Sequence, residues 1–258
     1  MIPPLAPESG VELWVNGTRA ATLMCTPREL DDLAWGHLAS RGLVANGPGA
    51  AKPRIAVCDS RSRVDVQAAL RETQDGISLA DVVASGCGSG LGTGSQETAF
   101  GRLLFVKAIQ TGFSVGLGEL ADLLRDMFSR ASMHRETGGM HCAALARRVP
   151  DAPHGWESIV REDVGRHNAV DKAIGRAIAE GWELSACALL TSGRIAADMA
   201  IKAMNCGVPL LASRSIPTTT AYELAVRGGI TLAGRIGSVN PSVYTHPERI
   251  RQEVPHVR

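Results

Sequence analysis

From Asn168 onward the chain alternates between two periodicities, and this constrains the fold more than any other feature. Asn168 to Glu180 repeats its apolar residues at helical spacing and stops at Gly181. Ala186-Cys-Ala-Leu-Leu-Thr191 is a continuous apolar run of strand length. Ile195 to Asn205 is helical again and closes on Gly207, where a glycine accepts the left-handed turn that ends a helix. Val208-Pro-Leu-Leu-Ala212 is the next strand, and Thr220-Ala-Tyr-Glu223 opens a third helix as a capping box. Gly228-Gly229 ends that helix before Ile230-Thr-Leu-Ala233. Strands that are apolar on both faces and separated by helices predict a parallel sheet with both faces covered.

The rest of the chain reads differently. Val11 to Cys25 alternates around Asn16-Gly17, the strongest short signal for a hairpin. Thr26-Pro27-Arg28-Glu29 has the form of a capping box with proline at the first helical position, and a helix is expected to about Ser40. Asn46-Gly47-Pro48-Gly49 marks a break, and Ile55 to Cys58 and Arg63 to Val66 read as two short strands around an Asp59-Ser60 turn. Leu117 to Arg130 is an amphipathic helix with Leu120, Leu123, Leu124, Met127 and Phe128 on one side. Thr137 to Leu145 is a glycine turn leading into a strand of small residues, and Glu157 to Arg161 returns antiparallel to it. Beyond Pro241 the tail is polar, with no clear element after Arg249-Ile250. The expected organisation is an α+β subdomain over 1–84, a loop over 85–100, and an α/β domain over 101–258.

Composition narrows the function classes. Of 258 residues, 45% are hydrophobic and 21% charged, and the net charge is +1, so no global field draws the protein to nucleic acid or membrane. The start, Met-Ile-Pro-Pro-Leu-Ala-Pro, has neither a basic nor an apolar leader segment, and no apolar run reaches membrane-spanning length; a cytoplasmic protein is the expectation. Cys25, Cys58, Cys142, Cys187 and Cys206 lie apart, without zinc spacing, and read as small core residues, so neither a structural metal nor a disulfide framework is expected.

The sixth cysteine is the exception. In Ser85-Gly-Cys-Gly-Ser-Gly-Leu-Gly-Thr-Gly-Ser95, glycine takes every second position from Gly86 to Gly94, and Cys87 has no apolar company in sequence. So much glycine forms neither a good helix nor a packed strand, which predicts an exposed loop carrying a thiol. The same composition also fits a linker with an incidental cysteine.

In the expected sheet, loops leaving the carboxyl ends of the strands share one edge, where ligands bind. They are Glu162-Asp-Val-Gly-Arg-His167, Ser192-Gly-Arg194, Ser213-Arg-Ser-Ile-Pro-Thr218 and Arg235-Ile-Gly-Ser-Val-Asn240. Each carries an arginine (Arg166, Arg194, Arg214, Arg235), and the first three lead into helices whose N-terminal amides favour anions. Together they suggest a ligand with more than one phosphate, although any one Ser-Gly-Arg also fits a helix cap beside a solvated side chain. Glu162, Asp163 and His167 suit proton transfer and equally suit helix capping and pairing with Arg166 or Lys172. His141 either packs with Cys142 or faces the ligand edge; His37, His134, His154, His246 and His256 read as surface or packing residues.

The longer runs resemble the FdhD family of formate dehydrogenase accessory sulfurtransferases. The matching runs include Val15-Asn-Gly17, Cys25-Thr-Pro27, Thr137-Gly-Gly-Met-His141, and Glu162 through Arg166-His-Asn-Ala-Val-Asp-Lys172. Ser192-Gly-Arg-Ile195, Lys202-Ala-Met-Asn-Cys-Gly207, Leu211 through Leu224 and Tyr244-Thr-His246 match as well. The resemblance implies a three-layer α/β/α, cytidine-deaminase-like domain with a small N-terminal α+β part, acting as a homodimer. It implies that sulfur passes as a persulfide from a cysteine desulfurase to a molybdenum (or tungsten) bis-guanine-dinucleotide pterin cofactor destined for formate dehydrogenase. It puts Cys87 at the first cysteine of a Cys-Gly-x-Cys-Gly carrier loop, with Gly90 where the second cysteine stands. It also implies cofactor contacts from Arg235, Ile236, Gly237, Ser238, Val239 and Asn240, joined by Ser192, Gly193, Arg194, Ser213, Arg214, Arg166 and His167. Two other readings stand beside it: a cofactor chaperone without persulfide chemistry, and a cysteine hydrolase pairing Cys87 with His141 or His167.

Overall fold

The structure, a computed structural model, describes residues 2–45, 51–58, 62–71 and 108–251. Cys87, Gly90, the whole 85–100 stretch and the expected breaks at 46–49 and 59–60 lie outside the described residues. In chain order the elements are β1 (Ser9–Val15), β2 (Thr18–Cys25), α1 (Leu30–Ala39), β3 (Arg54–Cys58), β4 (Arg63–Gln67) and β5 (Val115–Gly116). There follow α2 (Leu117–Arg130), α3 (Ser132–Thr137), β6 (His141–Arg148), β7 (Trp156–Asp163), α4 (Arg166–Ala179) and β8 (Cys187–Thr191). Last come α5 (Ala197–Cys206), β9 (Leu210–Ser213), α6 (Thr219–Gly228), β10 (Thr231–Gly234), β11 (Ser242–Val243) and β12 (Ile250–Arg251).

The hairpin forms as its turn residues dictate. Asn16 and Gly17 both take positive φ, 49° and 83°, which matches the right-handed twist of β1 and β2. β1 also pairs in parallel with β4, and β4 antiparallel with β3, giving a four-stranded sheet in the order β2-β1-β4-β3. The expected capping box at Thr26 does not form. Glu29 is the N-cap of α1, in left-handed conformation and without a side-chain cap. Thr26 is taken up elsewhere: it is buried, its N–H donates to Asp163 Oδ2 (3.0 Å), and its hydroxyl donates to Pro7 O (3.0 Å). Tertiary partners have outbid a local cap.

The main sheet has six strands in the order β11-β10-β9-β8-β6-β7. β8, β9 and β10 are parallel, as the alternation predicts, and β6 runs antiparallel to both β7 and β8. It is therefore a mixed sheet, in which β7 points the same way as β8. Successive residues alternate between two apolar cores. Leu189, Leu211 and Leu232 face α4, α5, α6 and, through α1, the N-terminal sheet. Leu190, Leu210 and Ala212 face the Leu120, Leu123, Leu124 and Met127 side of α2. β11, β12 and the short helix α3 escaped the sequence reading, because two-residue strands and single-turn helices are too short to show a period. The capping box expected at Thr220 is displaced as well: Thr218, not Thr220, caps α6 by accepting from Ala221 N–H at 3.3 Å.

α1 and α4 cross at backbone contact. A Cβ built on Gly36 would lie 1.7 Å from Asp171 O, and one on Gly175 1.9 Å from Asp32 O. Beside this crossing sits a buried polar cluster: Lys202 Nζ lies 2.5 Å and Ser40 Oγ 2.7 Å from Asp171 Oδ1, while His37 and Arg41 face Oδ2 at 3.5 and 3.6 Å. These contacts join α1 to both α4 and α5 and so hold the two helix starts that approach the site.

Candidate functional site

Because β7, β8, β9 and β10 point one way, the four arginine loops leave the same edge of the sheet, and β6 begins there. Backbone hydrogen bonds lace them together. Ile195 N–H donates to Ile216 O (3.2 Å) and Thr218 N–H to Ile195 O (2.9 Å); Arg235 N–H donates to Ser215 O (2.9 Å) and Ile236 N–H to Ser213 O (3.1 Å). Ser213 Oγ donates to Gly193 O at 2.7 Å. Arg166 lies on Gly193 so closely that a Cβ there would meet its Cδ at 3.1 Å. The result is one continuous rim.

The rim brings together Arg166, His167, Ser192, Gly193, Arg194, Ser213 and Arg214. Arg194, Arg214 and Arg235 are exposed, and Arg166 is half-buried with its Nε out of water and without a hydrogen-bond partner among the described residues. Arg214 lies over the Phe128 ring at 5.0 Å. In the 235–240 loop, Arg235 (φ 54°) and Gly237 (φ 81°) turn the chain, Ile236 is buried as an anchor, and Gly237, Ser238, Val239 and Asn240 stand in solvent, Val239 at 95% exposure. That loop reaches the rim through its backbone bonds to Ser213 and Ser215. The N-cap residues of α4 and α5, Gly165 and Ala196, give no side-chain cap to the first turn of either helix.

Below the rim opens a cleft of about 400 Å³ lined by Phe128, His134, Gly138, Gly139, Met140, His141, Ser192 and Arg214. His141 faces the ligand edge, the second of its two readings, while Cys142 is buried behind it. His134 and Phe128 line the cleft as well, although in sequence His134 reads as a surface or packing residue and Phe128 as part of an apolar helix face. Gly138, in left-handed conformation at the end of α3, turns the chain back into β6 and so places His134 and His141 on one wall. The Thr137-Gly-Gly-Met-His141 run was the available signal.

Each ring has its Nδ1 tied. His134 Nδ1 lies 2.5 Å from Met140 O, and His141 Nδ1 lies 3.2 Å from Ser192 Oγ, which also accepts from Cys142 N–H at 3.0 Å. Burial, with Arg166 and His134 nearby, holds the His141 imidazolium below its ordinary range, so the ring is neutral at neutral pH.

The carboxylates that invited an acid/base reading are committed to structure. Glu162 caps α3, accepting from Met133 N–H (3.2 Å) and His134 N–H (2.6 Å). Asp163 accepts from Thr26 N–H, Gly165 N–H and Asn168 Nδ2 and pairs with Lys172 at 2.8 Å. Helix capping and the Lys172 pair are therefore what these residues do. His167 instead faces the Asp198 carboxylate across the first turns of α4 and α5, and burial pushes its imidazolium down to about 4.

Cys25, Cys142, Cys187 and Cys206 are buried and Cys58 half-buried. Burial pushes the thiols of Cys25, Cys142 and Cys187 up to about 12, so none of the three supplies a thiolate at neutral pH. Among the described residues no group of three or more His, Cys, Asp or Glu side chains is placed to hold a metal ion. None of the described helices is long and apolar enough to cross a membrane.

Comparison with known proteins places this geometry. A model of the FdhD/NarQ family matches residues 6–251. The sulfur carrier protein FdhD of Geobacillus kaustophilus is 31% identical over 257 residues, covering 95% of this chain and 89% of that protein. The protein of the same name from Bacillus subtilis is 32% identical over 239 residues, covering 92% and 87%. A crystal structure from Desulfotalea psychrophila, assigned provisionally as a formate dehydrogenase accessory protein, superposes with a TM-score of 0.76 at 24% identity, over 97% of this chain and 92% of that one, and shares the mixed α/β fold. The chain belongs to the FdhD/NarQ family.

Proposed function

We propose that this chain is a sulfur carrier in formate dehydrogenase maturation, with Cys87 taking sulfur from a cysteine desulfurase and the rim holding the acceptor, a molybdenum (or tungsten) bis-guanine-dinucleotide pterin. The names of its relatives support the sulfur-carrier role. The observation that carries the acceptor site is the laced rim. Arg166, Arg194 and Arg214 stand along one edge of the sheet, with Arg214 lining the cleft, on a protein whose net charge is only +1, which suits an acceptor with two pyrophosphates. The 235–240 loop extends the same grip. A cytidine-deaminase-like layering, a homodimer and a cytoplasmic site of action belong to the same proposal.

The chemistry needs one thiolate. Cys87 attacks the outer sulfur of the donor's persulfide; the new S–S bond forms on Cys87 and the donor cysteine leaves as its thiolate. In the transfer an electron pair of the acceptor attacks the outer sulfur: the acceptor–sulfur bond forms as the S–S bond breaks, the sulfur's proton is released, and Cys87 leaves as the thiolate. Gly90 stands where a second thiol would resolve the persulfide as a disulfide, so the sulfur has no intraloop exit. Three of the other five thiols, Cys25, Cys142 and Cys187, are held protonated by burial and do not compete with Cys87 as the nucleophile.

Mass spectrometry after incubation with a cysteine desulfurase and cysteine should find one added sulfur on the Cys87 peptide. A Cys87→Ala protein that still matures formate dehydrogenase, with no adduct on the wild type, removes the carrier role. If that protein also loses guanosine diphosphate on Arg194→Ala, a cofactor chaperone without sulfur chemistry remains.

A further inference from the structure

The two imidazoles on the cleft wall meet different partners at Nδ1. Met140 O is a carbonyl and can only accept, so His134 Nδ1, 2.5 Å away, carries the proton. A neutral His134 therefore keeps a lone pair on Nε2. At His141 the partner is a hydroxyl, Ser192 Oγ at 3.2 Å, which already accepts from Cys142 N–H at 3.0 Å and has one proton to give. Given to Nδ1, that proton puts the ring proton of a neutral His141 on Nε2. Among the described residues the hydrogen bonds of both rings run through Nδ1, so Nε2 is what each offers the cleft.

One wall then presents a donor, His141 Nε2–H, and an acceptor, His134 Nε2. Two flat groups flank them: the Phe128 ring, which packs against His134 with centroids 5.5 Å apart, and the Arg214 guanidinium over that ring at 5.0 Å. The 400 Å³ of the cleft admits a bicyclic ring. A fused heterocycle with adjacent C=O and N–H groups, a cyclic lactam, complements this wall: its carbonyl accepts from His141 and its N–H donates to His134. Among the described residues lining the cleft there is no carboxylate to perform the reading.

We infer that His134 and His141 form a lactam reader that seats the guanine or pterin ring of the acceptor, with its diphosphate on the rim arginines. This rests on the proposed function for the identity of the ligand, while the reader itself rests on the Met140 carbonyl accepting from His134 and the Ser192 hydroxyl donating to His141. It differs from readout of guanine by a carboxylate, which needs the 2-amino group as well as the ring N–H. The imidazole pair needs only the lactam.

Calorimetry on the full chain tests this with four diphosphates. Guanosine and inosine diphosphates should bind within about threefold of each other, and 1-methylguanosine diphosphate, with the same charge but no N1 proton, about tenfold or more weaker. 6-Hydroxymethylpterin diphosphate distinguishes the two sources of the lactam: tighter binding than guanosine diphosphate assigns the wall to the pterin, weaker binding assigns it to guanine. His134→Asn keeps an N–H for Met140 O and removes the cleft acceptor, and it should bring guanosine and 1-methylguanosine diphosphates to within about twofold. His141→Asn should weaken both lactam rings, and His141→Gln, with an amide N–H near the Nε2 position, should restore binding. Equal binding of the methylated nucleotide by the wild type, or discrimination that survives His134→Asn, overturns the reader while leaving the rim intact. Failure of every diphosphate to bind removes the rim and the reader together.

Discussion

Lys172 Nζ lies 2.8 Å from Asp163 Oδ2, and neither side chain has any exposed surface. The ammonium also donates to Thr26 O (3.0 Å) and Glu162 O (3.2 Å), so one buried cation ties the end of β7, the exit of the N-terminal hairpin and the second turn of α4. This knot lies at the turn that leads from β7 into the first turn of α4, which carries Arg166 and His167.

Removing one partner strands the other in a dry interior, which costs about 3–5 kcal/mol. Lys172→Met and Asp163→Ala should each lower the unfolding free energy by about that amount, read from the slope and the lowered midpoint of urea titrations followed by circular dichroism. The double replacement Asp163→Leu with Lys172→Met should recover part of the loss, since the uncompensated charge is gone. A single variant with an unchanged midpoint contradicts the knot.

The α1–α4 crossing makes a second prediction. A methyl group at Gly36 or Gly175 would run into backbone, which has no rotamer to yield. Gly36→Ala and Gly175→Ala should each destabilise by about 3 kcal/mol or more. Gly181→Ala, at a positive-φ turn with open space around the new methyl, should cost only about 1 kcal/mol. Thermal melts of the three proteins side by side separate steric overlap from backbone strain.

Acid should weaken the fold before its ordinary carboxylates titrate. Burial, with Arg41 and Lys202 adding to it, pushes His37 down to about 4 from an ordinary 6.5, against the pull of Asp171. Between those two values the unfolded chain binds a proton that the folded chain refuses, so stability falls as pH falls. At about 1.4 kcal/mol per pH unit the loss from His37 is roughly 3 kcal/mol by pH 4. Burial also opposes the charge on Asp171, yet Lys202, His37 and Arg41 outweigh it and hold the carboxyl well below its usual range. Its contribution is present above the unfolded value and is lost only at still lower pH. Urea titrations at several pH values should show this slope, and His37→Asn should flatten the part between pH 6.5 and 4.

Ligand affinity should be electrostatic at the rim. Arg194 and Arg214 are exposed and unburdened by buried acids, so Arg194→Ala and Arg214→Ala should each weaken guanosine diphosphate about tenfold at low salt and leave stability within about 0.5 kcal/mol. The difference from wild type should shrink as ionic strength rises. Wild-type affinity that is insensitive to salt argues against phosphate contacts.

Local signals were legible where one residue type decides one geometry. Asn16-Gly17 specified its turn, Gly207 and Gly229 ended their helices, and the apolar runs at Leu189, Leu211 and Leu232 became the central parallel strands. The four arginine loops could be placed on one edge because strand direction follows from strand–helix alternation. Thr26, by contrast, carries a capping signature that Asp163 and Pro7 override, and nothing near it in sequence announces partners so distant.

The sequence by itself therefore determined the longer strands and helices, which edge collects the arginines, and where a lone thiol stands among glycines. Only the tertiary structure decided that Glu162 and Asp163 brace the fold, that His134 joins His141 on one wall, and which nitrogen of each ring is left for a ligand. The physical reason is range. Turn and helix preferences act over a few residues, whereas a tautomer or a buried charge is set by whichever groups the folded backbone brings within about 3 Å.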